Sequence, residues 1–310
     1  MSSAQAKLQF QSVTPEDYDR IYPYTSAFGE GSCQHSPVSM VSLAEKYGDC
    51  VCIRDDTLFT LRKNLCDETF RVYLAPLGSG DPQKAYAQVL EDAAAYGKRA
   101  RFLTLTERAA DALRAACPDR FEISEDRDLA EYFYHTAQMG TFSGSDLRKR
   151  RGEIHTFWHR YGDRATVVPI TAADVNDILA FEHAWLEQNK ETHDGDALER
   201  EARMIELQMR LFTPLHLSGV VVRIDGEVKG FGYGTKLSGQ FYDAIAEKGD
   251  KAVPYIYRVL RQESVKQCAM DCAYVNMEED VGVPGLRALK LAYRPAYLLK
   301  KFAATEKEKR

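Results

Sequence analysis

The sequence predicts an α/β (α+β) chain that arose by duplication of one strand-and-helix unit, with a mixed sheet in each half. Two observations predict this. The chain has 310 residues, of which 45% are hydrophobic and 28% charged, which is typical of about two folded domains. The predicted element order β-α-β-β-β-α-β-α also occurs twice, at an offset of 157 to 172 residues, and a repeated order at a nearly constant offset indicates an internal repeat.

Each half begins with a short strand and a helix, in segments 7–21 and 164–178, with Thr14 and Thr171 at the N-cap positions. A hairpin, a third strand and a second helix follow. The hairpin turns are Asp55-Asp56 and Asp225-Gly226, the third strands are 70–74 and 241–246, and the second helices begin near Pro82 and Pro254. Proline suits the first turn of a helix because it has no N–H to leave unpaired.

A polar stretch with Gly140 and Gly144, followed by a basic helical segment, marks the junction between the halves. We therefore predict an N-terminal domain over 1–135, a basic linker or helix over 136–163, and a C-terminal domain over 164–310. The repeated element order is that of the GNAT acyltransferase fold. The fold class predicted from this topology is a tandem duplication of a GNAT-like fold, and topology alone does not establish an activity.

Charge and cysteine content restrict the function classes. The net charge is −5 and the isoelectric point about 5.9, so any contact with nucleic acid or anionic lipid requires a local basic patch. The seven cysteines form no CxxC pair, and we predict reduced thiols and no metal site. We see no signal peptide and no apolar stretch long enough for a membrane span. These features favour a cytoplasmic protein.

Three acids and two glycines follow the predicted strand 273–277. Glu278 and Asp280 lie where that strand ends, the edge at which α/β sheets bind ligands. Gly282 and Gly285 allow the backbone to approach a ligand closely. The sequence therefore predicts a ligand site here, and the alternative is that the acids only cap the next helix.

The helix after these glycines carries Arg287 and Lys290, three residues apart and therefore on one face. They are candidates for clamping a phosphate or carboxylate, and Tyr293 is a candidate proton donor. Alternatively, Arg287 and Lys290 pair with the preceding acids. Glu247, which ends the predicted strand 241–246, is a candidate general base for an amine, or else a solvated strand end.

The loop after Glu247 is a poor pyrophosphate cradle, because Pro254 is expected in the first turn of the following helix and removes a donor. Lys248 and Lys251 could compensate only as point charges. Gly78 and Gly80 in the first half resemble a phosphate loop more closely, although a lone Gly-x-Gly is a weak signal and a plain turn is the favoured explanation. These observations favour an aminoacyl-tRNA or similar ester over acyl-CoA as the activated donor.

The densest basic run is Arg148, Lys149, Arg150 and Arg151. On a helix it is either a solvated face or a contact to the phosphate backbone of tRNA. Tyr132 and Tyr134 alternate on a predicted strand and point to the same side. They either line a cleft between the domains or belong to a half-buried core strand.

The segment Asn276–Pro295, together with segments 131–134 and 144–157, resembles the C-terminal domain family of phosphatidylglycerol lysyltransferases, which includes soluble stand-alone members of unknown function. The resemblance covers nearly the whole chain and implies a tandem GNAT arrangement, related to the Fem-type aminoacyltransferases. Within the family's motif, Met277 stands where arginine is expected, and Gly152 replaces an asparagine in the basic segment. The positions that match the motif are Asn276, Glu278, Asp280, Gly282, Gly285, Leu286, Arg287, Lys290, Tyr293 and Pro295.

The function predicted from these features is transfer of an activated acyl or aminoacyl group onto an amine, at a site in the C-terminal domain facing the interdomain cleft. The alternative is a non-catalytic GNAT-like protein that binds a ligand or regulates. We predict no tightly bound cofactor. The candidate catalytic residues are Glu247, Glu278, Asp280 and Tyr293. The candidate binding residues are Asn276, Gly282, Gly285, Arg287, Lys290, Tyr132, Tyr134, Arg150 and Arg151.

Overall fold

The structure, a computed structural model, describes residues 7–190 and 195–308. Its contacts divide the chain into two units. Unit 1 consists of Met1–Glu131, Glu279–Arg287 and Leu298–Arg310, and unit 2 consists of Tyr132–Glu278 and Ala288–Tyr297.

The first part of the chain alternates strands and helices in the predicted order. Its elements are β1 (Gln11–Ser12), α1 (Tyr18–Phe28), α2 (Pro37–Ser42), α3 (Ala44–Tyr47), β2 (Asp49–Arg54), β3 (Thr57–Arg62), β4 (Phe70–Tyr73), β5 (Leu77–Gly78), α4 (Pro82–Ala94), β6 (Arg99–Leu105), α5 (Glu107–Ala116) and β7 (Phe121–Glu125).

The second part repeats that order after a strand and two linking helices. Its elements are β8 (Glu131–His135), α6 (Thr136–Thr141), α7 (Arg148–Tyr161), β9 (Ala165–Pro169), α8 (Val175–Asn189), α9 (Gly195–Arg210), β10 (Leu217–Ile224), β11 (Glu227–Lys236), β12 (Phe241–Gly249), α10 (Ile256–Cys268), β13 (Tyr274–Asn276), α11 (Pro284–Leu291), β14 (Tyr297–Leu299) and β15 (Phe302–Glu306).

The two sheets have equivalent strand orders. One sheet runs β1-β2-β3-β4-β6-β15-β7, with β5 paired to β3, and the other runs β9-β10-β11-β12-β13-β8-β14. In each sheet the fourth and fifth strands are parallel, β4 with β6 and β12 with β13, next to antiparallel pairs. The predicted strands 70–74 and 241–246 thus occupy the same place in their sheets. The predicted tandem GNAT-like fold with mixed sheets is confirmed.

The sixth position of each sheet is filled by a strand that lies outside the corresponding repeat. The C-terminal strand β15 inserts between β6 and β7, and β8 pairs with β13. The predicted domain over 164–310 therefore differs from the observed units, because β15 completes the first sheet. Phe302, Ala304 and Glu306 of β15 are buried there, and burial of alternate residues is what an inner strand requires.

The local signals that predicted the repeat are present. Thr14 and Thr171 each form a capping box with the aspartate three residues later, which satisfies backbone groups at the start of the helix. Both hairpin turns have central residues with positive φ, at 51° and 53° for Asp55 and Asp56 and at 54° for Asp225. Such turns match the twist of antiparallel strands.

The two prolines do not play equivalent roles. Pro82 is the first residue of α4, as predicted. The prediction for Pro254 is wrong, because α10 begins at Ile256 after Tyr255, which has a left-handed backbone with φ 65°. Pro254 therefore precedes the helix and removes no N–H from its first turn. Among the described residues, no helix is both long and apolar enough to cross a bilayer.

Candidate active site

The predicted site residues fall into two groups that belong to different units. In unit 1 are Asp280, Gly282, Gly285 and Arg287; in unit 2 are Tyr132, Tyr134, Arg150, Arg151, Glu247, Asn276, Glu278, Lys290 and Tyr293.

The unit 1 group centres on the fully buried carboxylate of Asp280. Arg287 donates to it through Nε at 2.9 Å and Nη2 at 2.7 Å, and its Nη2 also donates to Asp128 at 2.6 Å. Arg127 adds a donor at 3.2 Å. The hydrogen bonds from Asp280 and then Asp128 raise the pKa of Arg287. This engagement favours the structural alternative for Arg287, a clamp that holds its own loop.

The two predicted glycines of this loop have different environments. Gly282 has a φ of 76°, and a Cβ there would lie 2.7 Å from a side-chain oxygen of Asp128, so a larger residue would be strained at this position. Its N–H donates to Asp280 at 3.0 Å. Gly285 is exposed on the first turn of α11 and has open space around it. The loop conformation therefore requires a glycine at position 282, whereas packing does not require one at position 285.

Several predicted residues of unit 2 hold the turn after β13. Asn276 is fully buried and accepts from the backbone N–H of Glu278 at 2.8 Å, where Glu278 has a φ of 55°. Lys290 donates from Nζ to the carbonyl of Met277 at 2.6 Å, and Tyr134 donates to the carbonyl of Lys290 at 2.8 Å. The Lys290 ammonium also lies 5.6 Å from the ring centroid of Tyr132. These contacts hold the backbone segment that leads to Tyr293.

Tyr293 forms the centre of a cluster of charged side chains. Its side chain is 1% exposed, and its hydroxyl makes no hydrogen bond with any residue in 7–190 or 195–308. Guanidinium groups lie near its ring, with Arg261 at 4.5 Å from the centroid, Arg150 at 5.4 Å and Arg258 at 5.7 Å. An unpartnered buried hydroxyl costs free energy unless a ligand satisfies it.

Two carboxylates partly neutralise this cluster. Glu247 receives a two-pronged contact from Arg261, at 3.1 Å and 2.6 Å. Glu153 accepts from Arg258 at 2.9 Å and from Arg150 at 3.3 Å. Burial works against the charged form of Arg261, but Glu247, Tyr293 and Tyr134 together outweigh burial and raise the pKa of Arg261. With three arginines against two glutamates, the cluster carries one positive charge in excess.

Sequence reasoning missed Arg258, Arg261 and Glu153. The available signal was spacing: Arg258 and Arg261 are three apart on α10, as Arg150 and Glu153 are on α7, so each pair shares a helix face. Charged residues with this spacing are equally typical of a solvated helix face. The aromatic ring that gathers them lies far away in the sequence.

The basic run divides into inward and outward residues. Arg150 faces Glu153 and Tyr293, and Arg151 donates to the carbonyls of Phe142 and Gly144. Arg148 and Lys149 are exposed on the first turn of α7. The residues available for a phosphate contact are therefore Arg148 and Lys149.

The loop after β12 is occupied by side chains of unit 2. Trp185 and Tyr257 both donate to the carbonyl of Gly249 at 3.1 Å. Lys248 is buried, with its ammonium 2.7 Å from Glu201, 3.9 Å from Glu182 and 3.9 Å from the Trp185 ring centroid. Burial raises the pKa of Glu182 to about 7. Lys248, considered above as a point charge for phosphate, is instead paired inside the unit.

Comparisons with known proteins agree with this architecture. A conserved protein of unknown function from Bacteroides thetaiotaomicron is 27% identical, with a TM-score of 0.90 over 97% of this chain and 100% of that one. L-PGS from Bacillus licheniformis is 14% identical, with a TM-score of 0.66 over 97% and 94%. The C-terminal domain of a putative lysylphosphatidylglycerol synthetase from Agrobacterium fabrum is 14% identical, with a TM-score of 0.64 over 99% and 93%.

An uncharacterised protein of Mycoplasmoides gallisepticum is 21% identical over 171 residues, which are 55% of this chain. The match spans about half (54%) of the length of that curated relative. The model of the family described as phosphatidylglycerol lysyltransferase, C-terminal, matches residues 28–305. The chain therefore belongs to the phosphatidylglycerol lysyltransferase C-terminal domain family, and its fold is of that general transferase kind.

Proposed function

We propose that this protein transfers an acyl or aminoacyl group from an activated carrier to an amine, and that the reaction takes place at the Tyr293 cluster of unit 2. One observation carries the proposal: Tyr293 is buried, its hydroxyl has no partner among the described residues, and three guanidinium groups lie near its ring in a cluster with one positive charge in excess. The predicted catalytic role of Tyr293 is kept in this proposal.

The chemistry of acyl transfer suits these groups. When an amine attacks an ester carbonyl, negative charge develops on the carbonyl oxygen, and fixed donors aimed at it lower the barrier. Arg258 and Arg261 supply such donors, and guanidinium groups also bind the phosphates of a carrier. The bond from carbon to the leaving oxygen breaks as the bond to nitrogen forms. Tyr293 gives its proton to the leaving oxygen and regains one from the attacking nitrogen.

Glu247 takes a different part in this proposal from the one first predicted. Its two oxygens already accept from Arg261 at 3.1 Å and 2.6 Å, so the carboxylate is engaged in holding that guanidinium. We assign Glu247 to positioning Arg261. Asp280, which Arg287 and Arg127 saturate, is assigned to holding its loop.

An aminoacyl-tRNA or similar ester is the proposed donor. The support comes from α7, where Arg148 and Lys149 are exposed while Arg150 on the same helix contacts the Tyr293 ring. Helix α7 thus presents cations both to solvent and to the Tyr293 cluster. Phosphate contacts release counterions, so binding of charged tRNA should weaken steeply with salt. The slope of log binding constant against log salt concentration reports the number of phosphate contacts. Replacing both Arg148 and Lys149 by alanine should lower that number by about two at most.

The test is a donor panel assayed for amide product by mass spectrometry. The donors are tRNA charged with labelled amino acids, acetyl-CoA and palmitoyl-CoA, and the acceptors are polyamines and lysine-containing peptides. We expect transfer from charged tRNA, and a loss of about a hundredfold in Arg258→Met if a transition-state donor is removed. Arg223→Met is the matched control, because Arg223 of unit 2 also pairs with carboxylates, those of Asp174 and Asp177, and is 22% exposed, as Arg258 is. Equal activity in both variants would contradict the assigned site.

A second candidate is a protein that binds an activated carrier without turnover. The carboxylate of Glu247 favours it, since both of its oxygens already accept from Arg261. In that case charged tRNA binds in a salt-dependent manner, and its ester remains intact with every acceptor tested.

A further inference from the structure

A cavity of about 250 Å³ lies in unit 1, where the chain leaves β4 and enters α4. Its wall is mainly apolar and includes Phe28, Leu77, Ala85, Tyr86 and Ala109. A cavity of about 150 Å³ with an apolar wall already admits benzene. The space in unit 1 therefore accommodates a ring with a few further atoms.

One polar side chain in the wall has unused hydrogen-bonding capacity. His35 lines the cavity, is 2% exposed, and its Nδ1 contacts no partner within the described part of the chain. Burial, with Lys301 and Arg62 nearby, lowers the pKa of His35 to about 3. The ring is therefore neutral at physiological pH and presents one N–H and one lone pair. Leaving such a group unpaired in the interior is costly.

The charged residues of the wall neutralise one another. Arg108 contacts the Glu30 carboxylate at 3.4 Å and donates to the carbonyl of Phe28 at 3.0 Å. Thr106 donates to the other oxygen of Glu30. Neither charge is left for a ligand, so an ion in the cavity would lack a counterion.

The glycines beside the cavity have a structural explanation. A Cβ on Gly78 would lie 2.0 Å from the carbonyl oxygen of Asp56, and one on Gly80 would lie 2.5 Å from Thr57 Oγ1. Both glycines allow the loop to pack on the β2–β3 turn. The N-terminus of α4 is already capped by the carboxylate of Asp81 and begins at Pro82. An anion is therefore disfavoured here, and the resemblance of 78–80 to a phosphate loop is explained by a plain turn.

We propose that this cavity is a binding site for a small, uncharged and mainly apolar organic group that carries one hydroxyl or amide, which pairs with His35. The apolar wall supplies affinity, and the neutral imidazole selects for the polar group. The site lies within unit 1 and does not depend on the proposed transfer at Tyr293, so either proposal can fail without the other.

Calorimetric titration with p-cresol and p-xylene tests this proposal, because the two probes have the same shape and differ by a hydroxyl and a methyl group. We expect the wild-type protein to bind p-cresol at least as tightly as p-xylene. In His35→Leu the hydroxyl is buried without a partner, so the affinity ratio should shift toward p-xylene by at least about fivefold. An unchanged ratio in a folded variant would overturn the role of His35.

A filled cavity provides the second test. Ala85→Leu places a larger side chain in the wall and should weaken both probes by at least about tenfold, because their volume is no longer available. Ala87→Leu on the exposed side of the same helix is the matched control and should change neither affinity by more than about twofold. Failure of both probes to bind wild-type protein up to their solubility limits, or equal effects of the two leucines, would overturn the proposal.

Discussion

Each unit buries a tyrosine near arginine and carboxylate side chains, and the two arrangements differ in whether the tyrosine hydroxyl is hydrogen-bonded. In unit 1 the Tyr73 hydroxyl donates to Asp92 at 2.6 Å and accepts from Arg71 at 3.0 Å. In unit 2 the carboxylate of Glu247 is taken up by Arg261, and the hydroxyl of Tyr293 has no partner among the described residues. The unit 1 arrangement is complete in itself, whereas the unit 2 arrangement retains a donor and a positive charge for a ligand.

Under the proposed function, the first tyrosine stabilises its unit and the second takes part in the chemistry. The strand orders of the two sheets are equivalent, so backbone topology does not distinguish the units. The two tyrosines differ in whether the hydroxyl has a hydrogen-bond partner among the described residues. Saturated clusters such as Asp280 with Arg287 stabilise loops, and the unsatisfied Tyr293 and His35 mark the candidate sites.

The largest effect on stability should come from the buried lysine of unit 1. Lys301 and Glu131 are fully buried and 2.6 Å apart. Lys301→Met leaves the Glu131 carboxylate without its cation, so the free energy of unfolding should fall by about 3–5 kcal/mol. Denaturant unfolding measures this loss.

The matched substitution in unit 2 is Lys248→Met. Its nearest carboxylate, Glu201, is 39% exposed, and water can solvate it once the lysine is gone. The expected loss is about 1–2 kcal/mol. Equal losses in the two variants would show that exposure of the partner does not govern these lysines.

A smaller effect is expected at Tyr73. Tyr73→Phe removes the donor to Asp92, which still accepts from Arg71 at 3.0 Å and from the N–H of Leu8 at 3.1 Å. The free energy of unfolding should fall by about 1–2 kcal/mol, with transfer activity unchanged. If Tyr73→Phe lost transfer activity but kept its stability, the contrast drawn between Tyr73 and Tyr293 would be wrong.

The pH dependence of stability should carry a contribution from Glu182. Burial raises the pKa of this carboxyl from 4.5 to about 7, so the folded state binds more protons than the unfolded state between these values. The free energy of unfolding contributed by Glu182 therefore falls as pH rises from about 4.5 to about 7. In Glu182→Gln this fall should be missing, and the difference between variant and wild type, followed by thermal melting at several pH values, should grow over that window. A constant difference would contradict the raised pKa.

Local patterns in the sequence predicted the sheets because their signals are short-range. The capping boxes at Thr14 and Thr171 and the hairpin turns at Asp55 and Asp225 depend on residues two or three apart. The sheet positions of β8 and β15 could not be predicted in this way, because both strands pair with partners far along the chain. Pro254 was misplaced by two residues, since the left-handed turn at Tyr255 gives no distinctive sequence signal.

The candidate site was predicted in part. Tyr293, Glu247 and Arg150 lie in one cluster, whereas Asp280, Gly282 and Arg287 satisfy one another in unit 1. Spacing could not decide between these outcomes, because an arginine that clamps a ligand and one that clamps its own loop share the same pattern. His35 and Lys248 were missed as buried polar residues, since burial depends on tertiary packing.

The most direct test of the central claim is the single-turnover rate of amide formation from a bound donor, measured for Tyr293→Phe and Tyr73→Phe alongside unfolding. The donor is the one that supports transfer by the wild-type protein. Removing the unpartnered hydroxyl of Tyr293 should lower the rate about 10²–10³-fold and leave stability unchanged or slightly higher, because an unsatisfied group is lost. Tyr73→Phe should leave the rate unchanged and lower the free energy of unfolding by about 1–2 kcal/mol. A Tyr293→Phe protein that reacts at the wild-type rate would contradict the assignment of the site.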